Sequence, residues 1–231
     1  MSKTIMAVGA HTGDAQLTCG MLLAKHAMAG DKIITVDLTA GERGTPAGLT
    51  PEQFRPQNVA AAAEFAKGLG GESIVFDIPD GELYASKEIE LKLARIMREK
   101  QVNSVLYHWP RSMHKDHEEA SEITKHAIFY GALKTFDLEG LEPAPIGRCM
   151  YAENWEDAEG FVPYNFFDVS EAFPLWKENI RKLWLAENSR DFKYLRYYEA
   201  LAIARGALIK ADYATAFAIP DYEKRVKLDL L

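Results

Sequence analysis

The sequence predicts an α/β fold: a doubly wound, mostly parallel sheet of the Rossmann-like type, followed by C-terminal helices. Short apolar runs alternate with stretches of helical periodicity through about residue 135, as repeated βαβ units require. The length of 231 residues suits one large α/β domain. No repeat, low-complexity tract or linker divides the chain, so we expect a single domain over residues 1–231.

The elements of the first half follow in a regular order. Residues 4–9 predict a buried strand, after which Leu17, Met21, Ala24 and Met28 recur at helical spacing. The next predicted elements are a strand at 32–38, a loop at 41–51, a helix at 58–69, a strand at 73–76, a helix around 89–97, a strand at 102–107 and a helix at 118–133. Periodicity weakens over 136–168, and two amphipathic helices are expected near 171–187 and 194–210.

Composition excludes several classes of function. The net charge is −7 and no dense basic cluster is present, which argues against nucleic-acid binding. No apolar run approaches the roughly 20 residues that cross a bilayer, so no membrane span is expected. The N-terminal apolar run is too short for a signal peptide, and the two cysteines show no metal or redox spacing. These features predict a cytoplasmic protein with reduced thiols.

Two polar segments carry the candidate chemistry. His11 and Asp14 follow the first strand, and His114 and His117 follow the strand at 102–107. Ligands bind beyond the carboxyl ends of strands in open parallel sheets, so these side chains converge if the two strands are neighbours. Two imidazoles and one carboxylate with an open fourth position form a catalytic zinc arrangement, in which hydroxide attacks an amide or ester carbonyl.

Simpler explanations exist for each segment taken alone. Asp14 has the position of a helix N-cap, and histidines at a helix start are often solvated. The presence of both segments after strands of one predicted sheet favours the metal site. The sequence lacks a dinucleotide-binding Gly-x-Gly-x-x-Gly after its first strand, a P-loop and a Gly-x-Ser-x-Gly nucleophile elbow. A dinucleotide-binding module therefore has only the fold in its favour.

The ordered motifs resemble the PIG-L/LmbE-like zinc-dependent de-N-acetylases. That family carries Ala-His-Pro-Asp-Asp-Glu, then a Thr-Asp-Gly-Glu-like segment, then His-Pro-Asp-His. The counterparts here are residues 10–15 (AHTGDA), 39–42 (TAGE) and 114–117 (HKDH). An arginine before an alanine-rich helix and a Pro-Asp-Gly turn at 79–81 extend the resemblance, which covers residues 4 to 135 clearly.

The resemblance implies a role for each matching position. It makes His11, Asp14 and His117 the zinc ligands, with Fe²⁺ or Mn²⁺ as alternative metals. His114 becomes the acid that assists the tetrahedral intermediate, and Asp116 the carboxylate that orients it. The two implied substrate contacts are Arg55 and Asp80. Homologous folds often form trimers or hexamers, so a homo-oligomer is expected.

Two departures bear on the activity. The first Asp of the Pro-Asp-Asp motif, the family's general base, aligns with Gly13, and the Glu of its Arg-x-x-Glu motif aligns with Asn58. Loss of a general base commonly lowers a rate by about 10²- to 10⁴-fold. Substitute carboxylates are available at Glu42, Glu153 and Glu156. A simple missing-base account predicts that Gly13→Asp raises deacetylation of N-acetylglucosamine-type compounds.

The sequence thus predicts a zinc-dependent amidohydrolase that removes an acyl group from a small N-acylated amino sugar or glycoside through metal-bound hydroxide. The alternative is a catalytically weakened member of the family that keeps the metal and binds a sugar-like ligand. The acyl group, the aglycone, the physiological metal and the group that replaces the base at Gly13 are not specified by the sequence.

Overall fold

The computed structural model describes residues 2–225 and 227–228. Within these ranges the chain forms one seven-stranded sheet, which confirms the predicted α/β architecture. The strands are β1 (Thr4–His11), β2 (Lys32–Thr39), β3 (Glu72–Val75), β4 (Ser104–Tyr107), β5 (Arg148–Ala152), β6 (Asn165–Asp168) and β7 (Ala214–Ala218). Their order is β3-β2-β1-β4-β5-β7-β6; the first five are parallel, and β7 is antiparallel to both of its neighbours.

Eight α-helices of the described ranges cover the two faces of the sheet. They are α1 (Asp14–Thr18), α2 (Gly20–Met28), α3 (Pro51–Gly68), α4 (Lys87–Glu99), α5 (Lys115–Ala132), α6 (Phe173–Ile180), α7 (Trp184–Asn188) and α8 (Tyr194–Ile209). Short 3₁₀ helices occur at Trp155–Asp157 and Asp221–Lys224. None of the helices in the described part of the chain is long and apolar enough to cross a membrane.

The boundaries differ from the sequence prediction in several places. The helix predicted from residue 58 begins at Pro51, because Thr50 caps it by accepting the backbone N–H of Gln53. The helix predicted over 171–187 is divided into α6 and α7, since Leu183 adopts extended backbone and is buried there. The first helical run is likewise divided, into α1 and α2. Strand β7 was not predicted.

The strand order fixes where a ligand can bind. β1 pairs with β2 on one side and with β4 on the other. The strands that follow β1 in the chain are first added on one side of it (β2, β3) and then on the other (β4, β5). A crevice opens where this order reverses, beyond the carboxyl ends of β1 and β4. β1 is buried along almost its whole length, as expected of a parallel strand covered on both faces.

Close packing holds α1 against the sheet beneath this crevice. The indole of Trp176 is fully buried, and its Nε1–H donates to the carbonyl of Gln16 in α1. A Cβ at Gly20 would lie 2.6 Å from the Trp176 ring, so only glycine admits the indole at the start of α2. Helix α1 is thereby fixed at its buried side, while its first residue, Asp14, faces the crevice.

Candidate metal centre and cleft

The candidate ligands come from the ends of two adjacent strands. His11 is the last residue of β1, and Asp14 is the first residue of α1. His114 is the N-cap of α5, and His117 lies in the first turn of that helix. The structure brings all four side chains together at the edge of one cleft of about 740 Å³. The convergence expected from the sequence is therefore observed in the structure.

Asp14 lies at a tetrahedral ligand spacing from each of the two predicted histidine ligands. Asp14 Oδ2 lies 3.2 Å from His11 Nδ1 and 3.4 Å from His117 Nε2. Ligand atoms about 2.0–2.1 Å from a tetrahedral zinc ion are about 3.3 Å from one another. Asp14 is therefore close enough to share a divalent cation with either histidine. Among the described residues, the groups whose ligand atoms all lie within 4.8 Å of one another are His11 with His114 and His117, Asp14 with His108 and His117, and His11 with Asp80 and Asp116.

The far sides of both imidazoles face carboxylates. His11 Nε2 lies 3.2 Å from Asp80 Oδ1 and 3.4 Å from Asp116 Oδ2. His117 Nδ1 lies 2.9 Å from an oxygen of the fully buried Asp157. Metal-binding histidines characteristically direct their second ring nitrogen to a carboxylate, which fixes the tautomer and strengthens the ligand. The donor set and its surroundings therefore fit a divalent metal ion.

A further histidine joins this network without having been predicted. His108 stacks on His117 at a ring-centroid distance of 4.2 Å, and its Nδ1 lies 2.8 Å from Asp157. The backbone N–H of Ala10 donates to His108 Nε2, so that nitrogen already has a partner. Asp157 thus joins two imidazoles behind Asp14. The position of His108 directly after β4 is the sequence signal that could have identified it.

His114 and Asp116 are arranged differently from the implied pair. The backbone N–H of Asp116 donates to His114 Nδ1, whereas the Asp116 carboxylate faces His11 and accepts the N–H of Gly81. Asp116 therefore orients His11 by its carboxylate and His114 only by its backbone. A neutral His114 carries its remaining proton on Nε2. Burial, followed by the nearby His11 and His117, lowers the pKa of His114.

Gly13 stands where the resemblance places a general base, and a side chain there would meet Leu185. The φ of Gly13 is +120°, and a Cβ would lie 2.5 Å from Leu185 Cδ2. Its backbone N–H donates to Gln16 Oε1, and Gln16 Nε2 in turn donates to the buried Asp37. The space next to Gly13 is thus occupied by a leucine methyl group, and the backbone is fixed by hydrogen bonds.

Of the three substitute glutamates, Glu156 is the one that lines the cleft. Glu42 is held by the backbone N–H of Asp80 and by Arg55, and Glu153 forms an ion pair with Arg205. Glu156 Oε2 lies 3.9 Å from His117 Nε2, and its side chain is 16% exposed. Burial, followed by Asp14 and Asp157, raises the pKa of Glu156 to about 7.

The implied substrate contacts occupy different environments. Arg55 binds Glu42, Asp77 and the carbonyl of Phe76, and it is not among the residues that line the cleft. Asp80 does line the cleft, where its Oδ2 accepts the backbone N–H of Arg43. The cleft wall also contains Arg43 itself, which the sequence argument did not single out.

The carboxylates behind the ligands provide a test of the metal site. We expect Asp157→Asn to weaken metal affinity by about 10- to 100-fold, because an amide holds the His108 and His117 rings less well than a carboxylate does. The dissociation constant for Zn²⁺, measured by competition with a chromogenic chelator, checks this. Asp77→Asn, at an exposed carboxylate paired with Arg55, is the control. Unchanged affinity in Asp157→Asn would contradict a role for His117 as a ligand.

Fold and site together define an α/β protein with a histidine- and carboxylate-rich candidate metal centre beyond the C-terminal edge of a parallel sheet. The family model for PIG-L, described as GlcNAc-PI de-N-acetylase, matches residues 6–128, which include both histidine segments. The chain belongs to this PIG-L family and is an LmbE-like enzyme.

Known relatives of the chain catalyse more than one reaction. The chain is 31% identical over 221 residues to 4-oxalmesaconate hydratase of Pseudomonas putida, covering 91% of this chain and 82% of that protein. The crystal structure of 4-carboxy-2-hydroxymuconate hydratase from Pseudomonas putida matches with a TM-score of 0.84 and 22% identity, over 99% of this chain and 100% of that one. The structure of N,N′-diacetylchitobiose deacetylase from Pyrococcus horikoshii matches with a TM-score of 0.81 and 22% identity, over 98% of this chain and 87% of that one. The two structural matches establish the shared fold.

Proposed function

We propose that the chain is a divalent-metal-dependent enzyme that adds water to a small unsaturated substrate. The observation that carries the metal dependence is the position of Asp14 Oδ2 close to both His11 Nδ1 and His117 Nε2. The other ring nitrogen of each histidine faces a carboxylate. One observation argues against the family's way of hydrolysing amides: glycine, with Leu185 packed next to it, stands at position 13, where the family has its general base. The identity of 31% to a hydratase over most of both chains supports the choice of hydration.

The residues of the chain can be assigned to the steps of a hydration. A divalent cation supplies Lewis acidity, which acidifies water and polarises a substrate oxygen. Glu156 accepts a proton from the water as the water oxygen bonds to one carbon of the double bond. His114 donates a hydrogen bond from Nε2 to the oxygen on which negative charge develops. The proton on Glu156 then passes to the neighbouring carbon, so one hydrogen and one hydroxyl group are added and nothing leaves.

Deacetylation of an N-acylated amino sugar is the second candidate. It is supported by His114, whose Nε2 is free of the Asp116 hydrogen bond and is able to protonate a leaving amine. The cleft of about 740 Å³ also has room for a substrate of disaccharide size. Hydrolysis by this route needs a base other than residue 13, and Glu156 is again the group that lies beside His117.

We also propose that zinc is the resident metal, that the protein is cytoplasmic and that it forms a homo-oligomer, a trimer or hexamer. Exposed apolar residues on α8, such as Ile203 and Leu208, support association of subunits. Sedimentation analysis tests the oligomeric state, and metal analysis of protein purified without added metal tests the ion.

The function is tested on one preparation by measuring its metal content, its hydration of unsaturated acids and its release of amine from N-acetylated sugars. We expect His11→Ala and His117→Ala to lower bound metal at least tenfold, whereas His126→Ala, on the outer part of α5, retains it. We expect the metal-loaded protein to consume unsaturated dicarboxylic and tricarboxylic acids, followed by loss of ultraviolet absorbance, and a chelator to abolish this. Amine release from N-acetylglucosamine or diacetylchitobiose without hydration would establish the second candidate instead. Metal content independent of His11 and His117 would overturn both candidates.

A further inference from the structure

We infer that the cleft recognises an anionic substrate, a molecule with two or more carboxylates, through Arg43 and Arg190. This inference names the substrate class of the site and rests on the proposed function for the reaction performed there. The two arginines reach the cleft from different parts of the chain: Arg43 from the loop after β2 and Arg190 from the segment after α7.

Arg190 is an exposed cation, and within the described ranges it has no ion-pair or hydrogen-bond partner. The protein as a whole carries a net charge of −7, and Arg190 places a cation next to Asp191 in the wall of the cleft. A guanidinium group in such a position attracts anions and binds carboxylates with two parallel hydrogen bonds.

Arg43 is held towards the cleft by its surroundings. Its backbone N–H donates to Asp80, which itself faces His11 at the metal centre. A Cβ at Gly81 would lie 2.9 Å from Arg43 Nη1, so glycine at 81 makes room for the guanidinium group. Its ion pair with Glu82 joins two half-exposed side chains. Such pairs contribute little to stability, so a substrate carboxylate can replace Glu82 at low cost.

A further polar group, on the loop that carries Arg43, lacks a partner. Thr45 Oγ1 is buried and forms no hydrogen bond with the described residues, although Thr45 lines the cleft. Buried hydroxyl groups are nearly always hydrogen-bonded, so an unpaired one indicates a missing partner. A carboxylate held by Arg43 would supply an acceptor for this hydroxyl group.

Four acidic residues line the cleft, and three of them, Asp14, Asp80 and the proposed base Glu156, already have other roles; the fourth is Asp191, beside Arg190. Asp14 belongs to the candidate metal ligands, and Asp80 is taken up by His11 and the Arg43 backbone. A bound divalent ion would add positive charge to that side of the cleft. The two guanidinium groups are the cationic side chains of the cleft lining, and with the Thr45 hydroxyl group they suit a polycarboxylate better than a neutral amino sugar.

The test measures binding without turnover. The probe is tricarballylate, a saturated tricarboxylate, titrated calorimetrically into the metal-loaded protein; its trimethyl ester and N-acetylglucosamine are the uncharged comparisons. We expect tricarballylate alone to bind, and Arg43→Gln and Arg190→Gln each to weaken it by about tenfold or more, since each removes a charged hydrogen-bonding group. Thr45→Val should weaken it less. Arg196→Gln, at an exposed arginine of α8 outside the cleft lining, should leave the affinity unchanged.

The possible results separate this inference from the proposed function. If both arginine variants bind tricarballylate as tightly as the unmodified protein, and a chelator abolishes this binding, the metal alone binds the probe. That result overturns the inference. Tighter binding of N-acetylglucosamine than of tricarballylate overturns it as well. Metal content is measured in the same samples. A protein that binds no metal at His11 and His117 yet binds tricarballylate through the arginines would refute the proposed reaction and leave the anion site standing.

Discussion

Glu156→Gln is expected to lower kcat by about 10²- to 10⁴-fold with the metal content unchanged. Glutamine keeps the shape of the side chain but cannot accept a proton, so only the proton-transfer step is removed. The backbone of the segment should hold its place, because the Glu156 carbonyl accepts the N–H of Met113 and its own N–H donates to Asn154. KM should change much less than kcat. Steady-state kinetics and metal analysis on the same preparation check both expectations.

Glu159→Gln is the matched control for this experiment. Glu159 lies three residues further along, its side chain is 78% exposed, and it pairs with Arg111 away from the cleft. Its substitution should leave kcat within about twofold, as expected of a surface pair. Loss of metal from Glu156→Gln would make Glu156 a ligand. Full activity with metal bound would place the proton acceptor elsewhere and refute the assignment.

The fold could be predicted from the sequence because most of its strands and helices have clear local patterns of apolar residues. The continuous apolar run of β1 indicates a strand buried on both faces, and the helical spacing of α2 indicates a helix with one buried face. β7 was missed because its five residues, ATAFA, are mostly alanine, which does not favour a strand. Its place in the sheet depends on antiparallel pairing with β5 and β6, which no local pattern encodes.

The candidate site could be predicted only in part, because some of its contacts join residues that are far apart in the chain. His11, Asp14 and His117 each follow a strand or begin a helix, so their convergence follows from the topology of a parallel sheet. His108 carried a signal in its position directly after β4, whereas nothing in the local sequence of Asp157 marks its contacts with His108 and His117. The sequence reduced the substitute carboxylates to three, and only contacts distant in the chain separate Glu156 from Glu42 and Glu153.

Leu185 is the clearest example of information absent from the local sequence. It lies in α7, 172 positions beyond Gly13 in the chain, yet its methyl group fills the space into which a side chain at 13 would project. The segment around Gly13 shows a missing carboxylate, which suggests that restoring it would restore the family's reaction. The three-dimensional structure suits glycine at this position, because the φ of +120° and the close approach of Leu185 both disfavour a side chain there.

Gly13→Asp is therefore expected to lower the free energy of unfolding by about 2–4 kcal/mol, and not to raise deacetylation. Two causes act together: a φ of +120° that residues with a Cβ rarely adopt, and a contact of 2.5 Å with Leu185. Urea denaturation measures the loss. Gly140→Asp is the control for backbone strain, since Gly140 has a φ of +71° and nothing lies within 4 Å of its added Cβ.

Gly140→Asp should cost about 1 kcal/mol, because aspartate tolerates the left-handed region. The double variant Gly13→Asp/Leu185→Ala separates the two causes at position 13. If the contact with Leu185 dominates, the double variant is more stable than the sum of the two single changes predicts, by at least about 1 kcal/mol. If the backbone dominates, the two changes add. A stable Gly13→Asp protein with increased amine release would show instead that Leu185 moves aside, and would restore deacetylation as the first candidate for this site.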